Sequence, residues 1–397
     1  PSRAALLSGR YPGNAGVRSI LAGHRTATGL PQSTPTLATA LKDLDYQTYM
    51  TGKWHLGLDE DSQPQQHGFD HWYGFMAGCI DYYSHIFYWG MNNPGPGINP
   101  THDLWEDGQE LWQDGQYFTE MITQKALTYI RDAARDGRPF MLYVPYNAPH
   151  YPMHAPKEYM DRFSELPWDR QVMAAMLAAV DDSVGAILDE VERLGLAEDT
   201  CSFFMADNGP SRETRNWLDG TLDPYYGGSA GKLKGHKFSL YEGGMRVPGI
   251  MHWPGHIPGG QVLSDPCAAM DIFPTMLNIA GGDVSQYEVD GMDILPYVAE
   301  SEKLPERTIY WEMGKQTAVR KGKWKLVLNG QLVEGADPDD AVHLANLEED
   351  MGECNNLKDA EVELTAELKS DAETWRGEIE QRWQREFSPK EQGTVTH

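Results

Sequence analysis

Two short apolar runs, "PFMLYVPY" at 139–146 and "TCSFFMADNG" at 200–209, each break off into polar, turn-forming residues. Each also follows a stretch with helical spacing. That alternation constrains the fold more than any other feature of the chain. Residues 120–135 have helical periodicity. From Asp169 to Leu194, Met173, Met176, Leu177, Val180, Val184, Ile187, Leu188 and Val191 recur at intervals of three and four until Gly195 stops the pattern. Earlier in the chain a helix is predicted over Thr36–Asp43, entered through Ser33-Thr34-Pro35 with a threonine cap ahead of a proline. A short strand, Tyr46–Met50, follows it. Strands that are nearly continuous apolar runs, alternating with helices, predict an α/β fold whose mostly parallel central sheet is sandwiched by helices. In such sheets ligands bind beyond the carboxyl ends of the strands, so the chemistry is sought in the loops that follow them.

After residue 300 the texture changes. "RTIYWEM", "TAVRKGKWKLVL" and "DAVHLANL" alternate with period two, and Ala360–Glu386 reads as a charged helix. This predicts a main domain over 1–304 and a small C-terminal antiparallel α+β unit over 305–397. The formal charge of -26 would repel nucleic-acid phosphate, so a nucleic-acid partner is disfavoured. No window approaches the roughly 20 uninterrupted apolar residues of a membrane span. Cys79, Cys201, Cys267 and Cys354 form no Cys-x-x-Cys pair, which argues against zinc-ribbon and thioredoxin-like chemistry and leaves buried thiols or one or two disulfides.

Four places in the loops carry candidate chemistry. Asp207 and Asn208, after an apolar run, are hard oxygen donors suited to Ca²⁺ or Mg²⁺, although "DNG" is also an ordinary turn. Lys53 and His55 lie between Gly52 and Gly57, where the backbone can approach a bound oxyanion; the competing reading is a pair of solvated surface groups. His150 ends "LYVPYNAPH", where it could equally cap or fill the core. Lys237 sits in a glycine-rich loop with Glu242 and Arg246, where it could equally be salt-bridged. Taken together, cations are concentrated around an oxygen-ligand metal site in an otherwise negative protein. Binding and cleaving an oxyanion ester requires that combination.

The opening residues, "PSRAALLSGRYP", resemble the tail of the type I, formylglycine-dependent sulfatase signature within the alkaline phosphatase-like superfamily. "GKWHLG" at 52–57, "HGFD" at 67–70, "GCIDYYSH" at 78–85, "NAPHYP" at 147–152, "ADNG" at 206–209 and "LKGHKFSLYEGGMRVPG" at 233–249 occur in that family's order. "WKLV" at 324–327 and "LANLEEDMGECNNL" at 344–357 look like its C-terminal domain, and "DYYSH" and "KFSLYEGG" look most like the branch containing N-acetylgalactosamine-4-sulfatase. The resemblance implies a Cys or Ser two positions before Pro1, converted to formylglycine by a formylglycine-generating or equivalent maturation enzyme. It also implies two upstream aspartates that, with Asp207 and Asn208, complete a Ca²⁺ or Mg²⁺ site.

By the same resemblance Arg3 holds the formylglycine and its metal environment, and Lys53 contacts the nucleophile and the sulfate. His55 accepts a proton as a covalent sulfate hemiester on the gem-diol collapses, while His150 and Lys237 bind sulfate and assist the leaving alkoxide. The implied function is a sulfuric ester hydrolase acting on a sulfated carbohydrate of polysaccharide or glycosaminoglycan type, in a periplasmic or secreted setting. The chain as written lacks the nucleophile and is expected to be inactive alone. Candidate substrate residues are Asp81, Tyr83 and His85, the segment 87–105, and the segment 212–228 with Arg215 and Trp217. Two rivals remain: a phosphonate or phosphate ester hydrolase on the same architecture, whose second metal would need extra Asp and His ligands, and a non-catalytic glycan-binding relative.

Overall fold

The computed structural model describes residues 1–87, 101–212, 228–300 and 302–387. Its centre is the strand Gln47–Lys53, all seven residues of which are buried. It pairs in parallel with His71–Phe75 on one side and Phe140–Tyr143 on the other. The sheet continues antiparallel through Trp105–Glu106 to Gln109–Glu110, so it is mixed, with a parallel core of three strands. Glycines set how closely the strands approach near the site. A Cβ on Gly74 would collide with the Gly52 carbonyl oxygen, and one on Gly52 with that of Pro145.

The helix Phe118–Asp136 turns Phe118, Ile122, Ala126, Ile130 and Ala133 inward and ends at Gly137, whose φ of 80° is the left-handed conformation of a helix stop. Trp168–Arg193 packs against it. That second helix has a mean hydropathy of 1.4 over its most apolar window, enough by length and composition alone to cross a membrane. Its contact with Phe118–Asp136 makes it part of the fold, although Leu177, expected on its packed stripe, is exposed. The predicted helix near residue 36 runs Leu37–Lys42. Thr36, not Thr34, is its cap, its hydroxyl accepting the Thr39 N–H at 3.2 Å.

The run 202–206 departs further from expectation. It does not join the central sheet: Ser202–Met205 pairs antiparallel with Gly249–His252 as a separate two-stranded sheet. Phe204 and Ile250 on these strands are 42% and 60% exposed, because nothing among the described residues covers that face. The four cysteines are free, and Cys267 and Cys354 are exposed, not buried.

The C-terminal part is a four-stranded antiparallel sheet in sequence order, Thr308–Met313, Gln316–Lys321, Trp324–Gly330 and Asp340–Asn346. The helix Val362–Glu386 seals one face, setting Leu368 and Ala372 on Val319, Leu326 and Leu344. Leu240 and Tyr241, from the 233–249 segment, meet Ala318 and Val327 where that segment packs on the C-terminal sheet. There Lys325, fully buried, reaches Glu242 at 2.8 Å and Glu353 at 3.1 Å, while a Glu353 oxygen accepts the Glu242 N–H at 2.6 Å.

Candidate active site

Lys53 is the last residue of the central strand, where its side chain emerges at the carboxyl end while its N–H remains bonded to the Pro145 carbonyl at 2.8 Å. It is 5% exposed. Burial, together with Arg3 and Lys237, pushes its pKa down to about 7, against the pull of Asp207. Two residues on, His55 takes a left-handed φ of 56° with its N–H on the Met76 carbonyl. Its Nε2 is buried without a hydrogen-bond partner, and a side chain at Gly78 would press against that atom. Burial, then Lys53 and Arg3, holds the His55 pKa well below its ordinary value, so the ring is neutral near pH 7 and has a lone pair to offer.

On the neighbouring strand's exit, His150 Nδ1 lies 2.8 Å from the Tyr151 carbonyl oxygen, which can only accept, so Nδ1 carries the hydrogen. Its Nε2 is then the acceptor for the Lys237 ammonium at 3.3 Å. Lys237 is in turn placed by its own N–H on the Pro210 carbonyl, just past Gly209. Asp207 follows the strand Ser202–Met205 and accepts a 2.7 Å bond from Arg3 Nη1. Partial desolvation would raise its pKa, but Arg3, Lys53 and Lys237 outweigh that and keep its carboxyl far below the usual range. Tyr143 stands in the field of Arg3, which offsets part of the burial that raises its hydroxyl pKa.

Arg3, Lys53, His55, His150, Asp207 and Lys237 therefore converge, with Asn208 adjoining. Sequence reasoning missed Tyr143, which sits inside an apolar run and reads there as sheet filling. Asp207 and Asn208 offer carboxylate and amide oxygens, the chemistry of a hard divalent cation. Asp207 is 43% exposed and engages Arg3 through one oxygen, which leaves the other for an ion. Among the described residues no group of three His, Cys, Asp or Glu gathers at this cluster.

The predicted substrate turn stands next to the cluster. The Tyr82 hydroxyl donates to the His150 carbonyl at 3.0 Å, and Asp81 lies 3.2 Å from His154. Asp81 Oδ1 is taken up by the Tyr83 and Ser84 N–H groups and the Ser84 hydroxyl, and Tyr83 lines an open groove of about 480 Å³. His85 is fully buried against His102 and Phe118, so in this conformation it holds the turn and does not face a sugar. Arg215 and Trp217 lie outside the described residues, as does most of 87–105.

Fold and site together define an α/β protein with Arg3, Lys53 and Lys237 gathered around Asp207 beyond the carboxyl end of the central strand. A family model described as Sulfatase matches residues 1–282, and one described as N-sulphoglucosamine sulphohydrolase, C-terminal, matches 235–377. The chain belongs to the sulfatase family, which generally uses formylglycine and a divalent metal. It is 32% identical over 341 residues to N-acetylgalactosamine-6-sulfatase of Mus musculus, covering 82% of this chain and 62% of that protein. It is 30% identical over 409 residues to arylsulfatase A of Bos taurus, covering 92% and 75%. The crystal structure of Ps i-CgsB in complex with k-i-k-neocarrahexaose superposes with a TM-score of 0.81 at 30% identity, covering 94% of this chain and 81% of that one. The chain thus spans about 62% of the length of the first of these relatives.

Proposed function

We propose that this chain is the greater part of a carbohydrate sulfatase, and that its pocket holds the sulfate ester of a sulfated polysaccharide or glycosaminoglycan during hydrolysis. The observation that carries the reading is the charge imbalance of the pocket: Arg3, Lys53 and Lys237 surround a single carboxylate, Asp207, beside a neutral His55. Such a pocket is short of negative charge, and a tetrahedral oxyanion supplies it. Relatives that act on hexosamine sulfates support the substrate class. The N-acetylgalactosamine-4-sulfatase kinship rests on "DYYSH" and "KFSLYEGG" alone.

Formylglycine, from a Cys or Ser two positions before Pro1, would supply the attacking hydroxyl, and the bond from Arg3 to Asp207 holds the adjoining segment at this cluster. Asp207 and Asn208 would hold Ca²⁺, with further carboxylates from upstream. Lys53 binds the sulfate oxygens, and charge building on them in the transition state strengthens that contact. His55 Nε2, neutral and unpartnered, takes up a proton. Lys237 Nζ, hydrogen-bonded to His150 Nε2, is placed to protonate the departing alkoxide, with His150 orienting it.

Free sulfate released from carrageenans, chondroitin sulfates and heparan sulfate by the protein with its upstream segment, read by ion chromatography, tests this. Release of phosphate from phosphate or phosphonate esters with no sulfate from any polymer overturns it in favour of the phosphoester reading. An Ala or Gly at the upstream position, with glycan binding retained, supports the non-catalytic relative instead.

A further inference from the structure

Next to the substrate turn lies a second group of side chains with a different chemistry. One nitrogen each of His85 and His102 and one carboxylate oxygen of Asp114 lie within 4.8 Å of one another. Both imidazoles are buried, 0% and 6% exposed. His85 Nε2 is 3.2 Å from the Gln116 carbonyl oxygen, and His102 Nδ1 is 3.1 Å from a Glu110 carboxylate oxygen. Both oxygens can only accept, so those two nitrogens carry the hydrogens. That leaves His85 Nδ1 and His102 Nε2 as lone-pair donors, and both are buried with no hydrogen-bond partner.

A buried imidazole nitrogen without a partner is costly, and two adjoining rings here each carry one. A histidine whose far nitrogen is anchored by a carbonyl or a carboxylate is the usual support for a metal ligand. The rings are also held in orientation. Trp112 stacks on His102 at 3.8 Å and 11°, and His85 keeps a left-handed φ of 54°, a region that non-glycine residues occupy sparsely.

We propose that His85, His102 and Asp114 form a binding site for a zinc-class transition-metal ion, distinct from the hard-cation position at Asp207. Two imidazoles and one carboxylate suit zinc and disfavour calcium, which takes oxygen ligands throughout. Donors around a tetrahedral zinc sit at bond lengths of about 2.0–2.2 Å, and the exposed Asp114 is the ligand free to swing inward. Its exposure also leaves the fourth position to water. The bound ion would clamp the turn 81–85 to the segment 102–116. Because Tyr82 of that turn bonds the His150 carbonyl, the clamp would steady one wall of the oxyanion pocket. The inference rests on these residues alone and stands or falls independently of the proposed activity.

The test is a titration of the chain, stripped with EDTA and desalted, with Zn²⁺ and Co²⁺. One tight equivalent of Zn²⁺ is expected, and Co²⁺ should give visible bands of a low-coordinate nitrogen–oxygen site without a thiolate charge-transfer band. His102→Gln should abolish binding. Asp114→Asn, at an exposed position that leaves the fold intact, should weaken it tenfold or more, while Asp207→Asn should leave it unchanged. If His102→Gln fails to fold, Asp114→Asn decides. Absence of zinc binding at micromolar concentration, thiolate bands, equal binding by Asp114→Asn, or loss of binding in Asp207→Asn would each overturn the proposal.

Discussion

The 233–249 loop contributes to two buried clusters of charge, and they are built on opposite plans. Lys237 belongs to the pocket, where with Arg3 and Lys53 it faces one carboxylate, Asp207. Five residues later Glu242 belongs to the domain junction, where it and Glu353 enclose Lys325, with Arg246 and Arg320 reaching Glu242 at 3.5 and 3.9 Å. At the junction nearly every charge has a counter-charge in contact, and the cluster ties the 233–249 segment to the C-terminal sheet. In the pocket cations crowd one another, Lys53 is pushed down to about 7, and His55 Nε2 has no partner. Matched buried charge specifies architecture, and unmatched buried charge is poised for a ligand.

That contrast breaks most visibly at Lys325. Lys325→Met should cost about 4 kcal/mol in urea unfolding, because two buried carboxylates are left facing each other. The triple variant with Glu242→Gln and Glu353→Gln should recover much of the loss; no recovery would mean that charge matching is not what holds the junction. Next in size, Lys53→Met in the protein with its upstream segment should lower kcat/KM by a factor on the order of 10²–10³, the usual cost of losing one group that stabilises a developing oxyanion.

Smaller still is a pH effect on product binding. Only protonated Lys53 attracts sulfate, so sulfate affinity, measured calorimetrically, should fall by up to about tenfold per pH unit above pH 7. A flat profile from pH 7 to 9 would show that Lys53 does not bind the anion. The smallest effect has the opposite sign from the junction. Lys53→Met should stabilise the fold at pH 7 by about 1 kcal/mol, as loss of a strained functional charge commonly does. The sign follows from linkage. The folded-state pKa lies below the unfolded value, so between about pH 7 and 10.5 the unfolded chain binds more protons and wild-type stability rises with pH. The variant should lack that rise, and a destabilised variant would place Lys53 among the architectural charges.

Much of the site was legible in the chain because most of its residues stand where a local pattern breaks off: Lys53 ends one strand, His150 and Asp207 follow two others, and Lys237 lies in a glycine-rich loop. Tyr143 escaped because a tyrosine within an apolar run looks like sheet packing. His85 was legible as part of a motif, yet its partners His102 and Asp114 carry no motif and lie well downstream. The long helices and the C-terminal hairpins were read nearly to their ends, since their periodicities are local. The pairing of Ser202–Met205 was not, because an apolar run records a strand's tendency to be buried but not its neighbour.

By itself, then, the chain determined which segments are helix and which strand, where the loops bearing chemistry fall, and the family to which they belong. All of these are written within a dozen or so neighbouring residues. Only the tertiary structure decided which charges meet. Arg3 with Asp207 and Lys325 with Glu242 and Glu353 are brought together from distant parts of the chain. A buried group's protonation is the sum of fields and desolvation from everything folded around it, and no local stretch of sequence contains that sum.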